Sequence, residues 1–418
     1  MKTLAEWLAF IERQHPNAIA LGLERVSSVW KEMGSAIACP VITVGGTNGK
    51  GSCCALLESM LRAGGYRVGL YTSPHLLRYN ERVRIAGEEA TEAALCAAFE
   101  AVEAARGRVT PNPPLTYFEY GTLGALWLFA RERIEAAVLE VGLGGRLDAV
   151  NIIDADCAVL TSVGIDHVDY LGPDRESIGR EKAGIFRAAR PAVIAEADPP
   201  ASVLSAAGEK LLLGRDFGYQ DQQTQWSYWG PAGKRGGLAH PALRGRMQLR
   251  NASAALCALD ALRDRLPMSM QDMRRGLAEV TLPARFQILP GRPQIVLDVA
   301  HNPQAAQVLA DNLGASGFAP ETIAVCGMLR DKDIAGVLEE MKPRITRWHL
   351  ASLGGPRGAS AAELAKHVEG AECFASPGAA FEAALSRAGE NDKIVVFGSF
   401  LTVAEVMQWL KNNKTSKR

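Results

Sequence analysis

The chain has 418 residues, 48% hydrophobic and 22% charged, with Lys+Arg and Asp+Glu equal at 46 each. That length exceeds one ordinary hydrophobic core and makes two domains the natural expectation. The charge balance excludes the basic footprint of a nucleic-acid binder, and no apolar run reaches the length of a membrane span.

The N-terminal Met-Lys-Thr-Leu-Ala-Glu-Trp is an amphipathic start with an acidic residue, unlike a signal peptide. Residues 41–52, Val-Ile-Thr-Val-Gly-Gly-Thr-Asn-Gly-Lys-Gly-Ser, run from an apolar β-branched stretch into a glycine-rich turn carrying Lys50. Leu56, Leu57, Met60 and Leu61 follow at helical spacing in an amphipathic segment that closes at Gly64-Gly65. Strand, glycine loop and helix in this order cradle phosphates on backbone N–H groups at a helix N-terminus. The match to the standard P-loop is imperfect. With Gly49-Lys50 aligned, the first glycine of the pattern falls at Val44, and the hydroxyl after the lysine is displaced by Gly51 to Ser52. In an ordinary P-loop that hydroxyl ligates Mg²⁺, so a metal here needs ligands from elsewhere. The bland alternative is a glycine turn with an exposed lysine.

Further apolar runs at 66–72, 136–141, 157–163 and 191–195 alternate with helical patterns. This predicts a parallel sheet with helices on both faces, whose ligands bind beyond the carboxyl ends of the strands. The segment 216–240, rich in Gln, Trp, Gly and Tyr, reads as a β-hairpin or loop excursion without a role. A second strand series lies at 294–299, 322–328, 347–352 and 394–399, after two prolines and a glycine at 290–293 that suit a connection. The expected organisation is a nucleotide domain over 1–283, a linker over 284–293 and a smaller α/β domain over 294–418. The basic Lys-Asn-Asn-Lys-Thr-Ser-Lys-Arg end reads as frayed and solvated. Eight cysteines, none in a C-x-x-C pair, read as small buried thiols of a reducing cytoplasm.

The strand ends carry the candidate chemistry. Glu140 closes a buried-looking strand and leads into Gly-Leu-Gly-Gly-Arg-Leu-Asp148; a carboxylate there suits a Mg²⁺ ligand on a nucleotide. Ser73, before Pro74, offers the hydroxyl that Gly51 lacks, or is a turn residue. Asp166-His167 follow the fourth strand, and His167 is either structural or a ligand. Lys182 lies in a segment of helical character, where most lysines are solvated. Asp298 and His301 end the first strand of the second series, as a capped turn or a functional pair. Arg285 precedes the connection. Asn251 opens a helix, as an N-cap or as an amide able to read an adenine edge.

Taken together, Gly46–Ser52, Ser73–Leu76, Tyr117–Gly121, Glu140–Asp148, Arg180–Gly184 and Asp298–Pro303 closely resemble the bacterial dihydrofolate synthase/folylpolyglutamate synthases of the Mur-ligase superfamily. The resemblance runs from Leu21 to Ser399; one departure is Ala284, where glycine is expected. It implies a Mur-ligase-type fold with a smaller Rossmann-like C-terminal domain. It also implies a cytoplasmic, monomeric ligase using ATP, two Mg²⁺ ions, L-glutamate, 7,8-dihydropteroate and tetrahydrofolate through an acyl phosphate. By the same resemblance Thr47, Asn48, Gly49, Lys50, Gly51 and Ser52 hold phosphates, while Asn251, Arg285 and Asp298 are nucleotide contacts. Ser73 and Glu140 bind the first Mg²⁺, and His167 with a bridging Glu140 binds the second. Lys182 matches a carbamylated lysine, whose carboxylate suits a metal site, and His301 would meet the acyl phosphate. Thr116, Tyr117, Phe118, Glu119, Leu147, Asp148 and Ala149 match pterin-binding elements, with Phe118 stacking on the ring and Asp148 pairing with its nitrogens.

A monofunctional folylpolyglutamate synthase stays open as an alternative. A peptidoglycan-precursor ligase would carry a further domain ahead of the loop, where 44 residues precede Gly45. A guanine-nucleotide switch would need an Asn-Lys-x-Asp motif, which the chain lacks.

Overall fold

β-branched and apolar runs pair into two mixed sheets. The computed structural model describes residues 2–17 and 19–415. The strands of the first unit are β1 (Val41–Gly45), β2 (Val68–Tyr71), β3 (Val83–Ile85), β4 (Glu88–Glu89), β5 (Ala136–Glu140), β6 (Cys157–Leu160), β7 (Pro191–Ile194) and β8 (Glu209–Leu212). They order as β4-β3-β2-β5-β1-β6-β7-β8. All neighbours are parallel except β2–β3 and β3–β4, so the expected parallel sheet carries an antiparallel edge. β1 pairs with β5 on one side and β6 on the other, which makes its carboxyl end the topological switch point where ligands collect.

The helix Lys50–Ala63 after β1 differs from the amphipathic expectation. Leu56, Leu57, Met60 and Leu61 are buried, but so are Ser52, Cys53, Cys54, Ala55 and Glu58. The helix Met270–Glu279 packs against it, and Ser59 Oγ donates to the Gly276 carbonyl at 2.7 Å. A helix covered on both sides shows no polar face.

Residues 216–240 form a three-stranded antiparallel sheet of β9 (Gly218–Gln222), β10 (Gln225–Gly230) and β11 (Gly233–Leu238). The Tyr228 hydroxyl donates to buried Asp260 at 2.7 Å and Arg235 Nη1 donates to the same carboxylate at 3.0 Å. The small sheet is thereby fastened to the helix Met247–Ala261, which carries Asn251. That helix begins four residues before Asn251, so Asn251 does not open it and the N-cap alternative falls.

The second unit contains β12 (Gln287–Leu289), β13 (Gln294–Leu297), β14 (Thr322–Cys326), β15 (Arg347–Ala351), β16 (Glu372–Phe374) and β17 (Lys393–Phe397). Their order is β12-β13-β17-β14-β15-β16, parallel except for β12–β13. The first unit extends to Ala242 and takes in Leu249–Val280; the second takes in Leu243–Gln248 and continues from Thr281. The prolines and glycine of 290–293 therefore do not connect units. They make the turn between antiparallel β12 and β13, a tight reversal that proline and glycine serve equally well.

The last helix, Phe400–Thr415, absorbs most of the basic C-terminal segment expected to fray, and residues 416–418 lie outside the described residues. All eight cysteines are free; five are buried, Cys39 and Cys96 are half-buried, and Cys373 is exposed.

Candidate functional site: a phosphate loop at the switch point

From the end of β1 the chain turns through Gly46–Gly49 into the helix starting at Lys50. Gly46 has φ 146° and Gly49 φ 91°, conformations that L side chains rarely adopt. A Cβ on Gly46 would lie 2.0 Å from Thr161 Oγ1, and one on Gly49 2.8 Å from Asn251 Oδ1. Backbone and space thus both demand glycine here, and buried Asn251 touches the loop. Lys50 Nζ donates to the carbonyls of Gly46 at 2.9 Å and Thr47 at 3.2 Å. The Thr47 hydroxyl donates to Gly164 O at 3.1 Å and accepts from Gly164 N at 2.9 Å. Thr47 is tied to protein through its side chain, so what the loop presents is backbone N–H groups, a helix N-terminus and one ammonium. That combination attracts anions.

Glu140 ends β5 beside β1, in register with Val44, and its side chain is buried. Its Oε2 accepts from Ser73 N at 3.1 Å, which brings the expected carboxylate and hydroxyl residues together at adjacent strand ends. On the other side of β1, His167 follows β6 with φ 53°, a sparsely populated region for a non-glycine residue. Asp166 Oδ1 accepts from His167 N at 2.9 Å, and Asp166 Oδ2 lies 3.9 Å from His167 Nε2. Among the described residues no three His, Cys, Asp or Glu side chains converge as a ready metal cage.

Lys182 lies near the end of the helix Arg175–Ala183 and is buried, not solvated. Burial and the neighbouring Lys50 charge bring its ammonium down to about 7, against the pull of Asp166 and Asp148. Asp148 is buried as well, and burial pushes its carboxyl up to about 7 against backbone hydrogen bonds and Lys50. Lys50, Asp148, Asp166 and Lys182 are one electrostatic neighbourhood, drawn from two loops and two helices. Two perturbed groups, Asp148 and Lys182, at a sheet's carboxyl edge mark a candidate functional site.

The pterin-associated residues have structural tasks of their own. Thr116 and Glu119 form a capping box at the start of the helix Tyr117–Arg131, and Glu119 Oε1 pairs with Arg25 at 2.9 Å. Asp148 Oδ2 accepts from Leu143 N at 2.8 Å and Oδ1 from Val150 N at 3.1 Å, so its carboxylate braces the glycine loop 142–145. Leu147 is half-buried, its carbonyl accepting from Gly22 N at 3.3 Å, and buried Ala149 starts the short turn Ala149–Ile152. Half-buried Phe118 stacks at 5.7 Å on Tyr71, and half-buried Tyr117 packs at 5.7 Å against Tyr79. Arg82 lies 5.5 Å from both the Tyr79 and Tyr117 rings and donates through Nε to His75 Nδ1 at 2.8 Å.

In the second unit Asp298 follows β13 and accepts from Phe286 N at 2.7 Å and Ala300 N at 2.8 Å. Burial raises its carboxyl, opposed first by Arg285. The Arg285 guanidinium lies 5.1 Å over the Phe400 ring, and the His301 ring lies 6.2 Å from Phe400. His301 Nδ1 is 2.8 Å from the Val299 carbonyl, which favours the proton on Nδ1. Asp298, Arg285 and His301 are thus gathered at one sheet edge. Ala284, where glycine was expected, has φ 58° and is buried. Ala284→Gly should raise stability by about 0.5–1 kcal/mol, the left-handed strain relieved less glycine's larger unfolded entropy. A urea midpoint that falls would show that the lost methyl packing outweighs the strain.

The sequence reading missed Thr161, Ser162 and Gly164, which grip the phosphate loop, and Phe400, which Arg285 and His301 share. Thr161 to Gly164 follow β6, so reading every strand end with equal weight would have reached them. Nothing local marks Phe400, which opens an ordinary helix.

A model of the Mur ligase middle domain matches residues 44–259, and one of the Mur ligase, glutamate ligase domain matches residues 284–400. The dihydrofolate synthase/folylpolyglutamate synthase of Escherichia coli (strain K12) is 47% identical over 410 residues, 97% of this chain and 95% of that protein. Among solved structures, E. coli FolC in complex with DHPP and ADP superposes with a TM-score of 0.94 at 45% identity, covering 99% of each chain. A bifunctional folylpolyglutamate synthase/dihydrofolate synthase with Mn, AMPPNP and L-glutamate bound gives 0.91 at 44% identity over 98% of each chain. On these matches, over nearly its full length, this chain belongs to the dihydrofolate synthase/folylpolyglutamate synthase family of Mur ligases.

Proposed function

We propose that the chain is an ADP-forming ligase that joins L-glutamate to 7,8-dihydropteroate and to tetrahydrofolate polyglutamates. The acceptor carboxylate attacks the γ-phosphate of ATP, giving an acyl phosphate and ADP; the glutamate amine then displaces phosphate through a tetrahedral intermediate. Family membership over nearly the full chain supports the reaction class, and the observation that carries the site is the clustering of Lys50, Asp148, Asp166 and Lys182.

The loop from Thr47 to Ser52 holds the phosphates through the backbone N–H groups at the start of its helix and the Lys50 ammonium. Asn251, Arg285 and Asp298 bind the nucleoside, and His301 stands by the acyl phosphate. Glu140, Ser73 and His167 fit two Mg²⁺ ions, because Mg²⁺ takes one or two protein carboxylates and completes its shell with phosphate oxygens and water. When bound, the ions would neutralise charge developing on the transferring phosphoryl group. The buried Glu140 carboxylate against Ser73 is a hard-oxygen donor set of that kind. Phe118, Tyr117, Thr116, Glu119, Leu147, Asp148 and Ala149 line the pterin side. The chain acts in the cytoplasm as a monomer.

Lys182 is the carbamylated residue. Its neutral amine adds CO₂ and releases a proton, replacing an ammonium that the Lys50 charge repels with a carbamate anion that the same charge attracts. Because its titration is lowered to about 7, the reactive neutral form increases as pH rises through 7. Carbamate from ¹³CO₂, read by NMR, should therefore grow from pH 6 to pH 8 and vanish in Lys182→Ala. That variant should lose kcat with little change in the KM for ATP. A carbamate signal that persists in Lys182→Ala, or a normal kcat, removes the role.

The deciding assay is ADP release with ATP, Mg²⁺ and L-glutamate, offering 7,8-dihydropteroate or tetrahydrofolate. Turnover with both is expected. Turnover with tetrahydrofolate alone would leave a monofunctional folylpolyglutamate synthase, and ATP hydrolysis indifferent to both acceptors would refute the ligase reading.

A further inference from the structure

We infer that Thr161 and Ser162 are positioning residues for ATP, a hydroxyl strap that sets the peptide groups of the phosphate loop. The inference rests on the reading of that loop as the phosphate site.

Both residues follow β6 and are fully buried. The Ser162 hydroxyl accepts from Asn48 N at 2.9 Å and donates to Asn48 O at 3.0 Å. Thr161 Oγ1 donates to the same Asn48 carbonyl at 2.7 Å and lies 3.2 Å from Gly45 O. The Ser162 carbonyl accepts from Thr47 N at 2.9 Å, and Thr161 N donates to Gly45 O at 2.9 Å. The N–H and the C=O of Asn48, which belong to two successive peptide groups, are therefore both held by side-chain hydroxyls. A glycine-rich loop has little conformational preference of its own, so an outside template must choose its shape.

That template also decides which N–H groups remain for phosphate. Those of Thr47 and Asn48 are spent on the strap. Those of Gly49, Lys50 and Gly51 stand at the helix N-terminus, where the first turn leaves donors without intrahelical partners. Fixing the former aims the latter, and donors fixed in advance need no reorganisation when charge develops. The fit is tight, because Thr161 Oγ1 occupies the space that a Cβ on Gly46 would need.

The test compares Thr161→Val, which keeps shape and loses the hydroxyl, with Thr161→Ser, which keeps the hydroxyl, alongside Ser162→Ala and Lys50→Ala. ADP binding with Mg²⁺ is measured by calorimetry, and KM for ATP and for glutamate by ADP release. Thr161→Val and Ser162→Ala should each weaken ADP binding and raise the KM for ATP about tenfold, or about 1.4 kcal/mol. The KM for glutamate should stay unchanged, and Thr161→Ser should match the parent protein. Where Ser162→Ala does not fold, the Thr161 pair decides. Parent-like ADP binding in Thr161→Val and Ser162→Ala, with binding lost in Lys50→Ala, would overturn the strap while sparing the phosphate site. Equal losses in Thr161→Ser and Thr161→Val would also overturn it, by reducing Thr161 to packing. Undiminished nucleotide binding in Lys50→Ala would instead reject the phosphate-site reading beneath it.

Discussion

Lys50→Ala is expected to lower ATP-dependent turnover by at least about 10²–10³-fold, the loss seen when one preorganised donor is removed from a developing anion. The reason is positional. The ammonium sits on the first residue of the helix Lys50–Ala63, within hydrogen-bond reach of the Gly46 and Thr47 carbonyls. An arriving phosphate competes for that ammonium with neutral carbonyls, a contest that a charged acceptor wins. The variant has a second, independent consequence. Lys50 is one of the charges holding Lys182 down and also lowers the Asp148 carboxyl. Removing it should move both titrations up, so carbamylation of Lys182 should require higher pH than in the parent protein. Steady-state ADP release gives the first readout and ¹³CO₂ NMR the second. Parent-like turnover would dismiss the loop as the phosphate site; an unmoved carbamylation midpoint would dismiss the coupling.

The second large effect is expected of Glu140→Gln, with turnover reduced on the order of 10³-fold while the fold is kept. Glutamine preserves the size of the side chain and an oxygen able to accept from Ser73 N, the contact now made at 3.1 Å. It deletes only the charge. If Glu140 is a metal ligand, the variant should also lose the Mg²⁺ dependence of nucleotide affinity, since a neutral amide is a poor partner for a hard cation. Thermal unfolding of the variant should stay within about 2 °C of the parent, below the shift that about 1 kcal/mol produces in a domain of this size. An active variant with intact Mg²⁺ dependence would show that the buried carboxylate only organises the Ser73 turn.

These two residues differ in how openly the sequence displays them. The glycine loop is written in adjacent residues, because a β-branched run, glycines with φ 146° and 91°, and a helix start are all properties of local backbone. Glu140 was reachable by rule, since a strand-end carboxylate beside such a loop is a recurrent solution. Lys182 was not reachable in this way. Its helix is mostly polar in sequence, yet the side chain is buried and its charge destabilised by a lysine far away along the chain. Only family resemblance distinguished it from a solvated lysine. The capping box of Thr116 and Glu119 shows the reverse case. Sequence resemblance named those residues for the pterin, and the fold shows them starting a helix, with Glu119 pairing with Arg25.

The sequence by itself determined the alternating α/β organisation, the glycine loop between strand and helix, and the strand ends on which the candidate chemistry stands. Each depends on hydrophobic periodicity and backbone freedom over a few residues, which are properties of the local chain. The tertiary structure alone decided which groups meet. It placed the Ser162 hydroxyl, 114 residues distant, on the Asn48 peptide. It made residues 290–293 a hairpin turn where a linker was expected. It also put Asn251 inside a helix against Gly49, and it set Lys182 and Asp148 near neutrality. Burial and charge–charge distance follow from closure of the whole chain, and no local pattern encodes them.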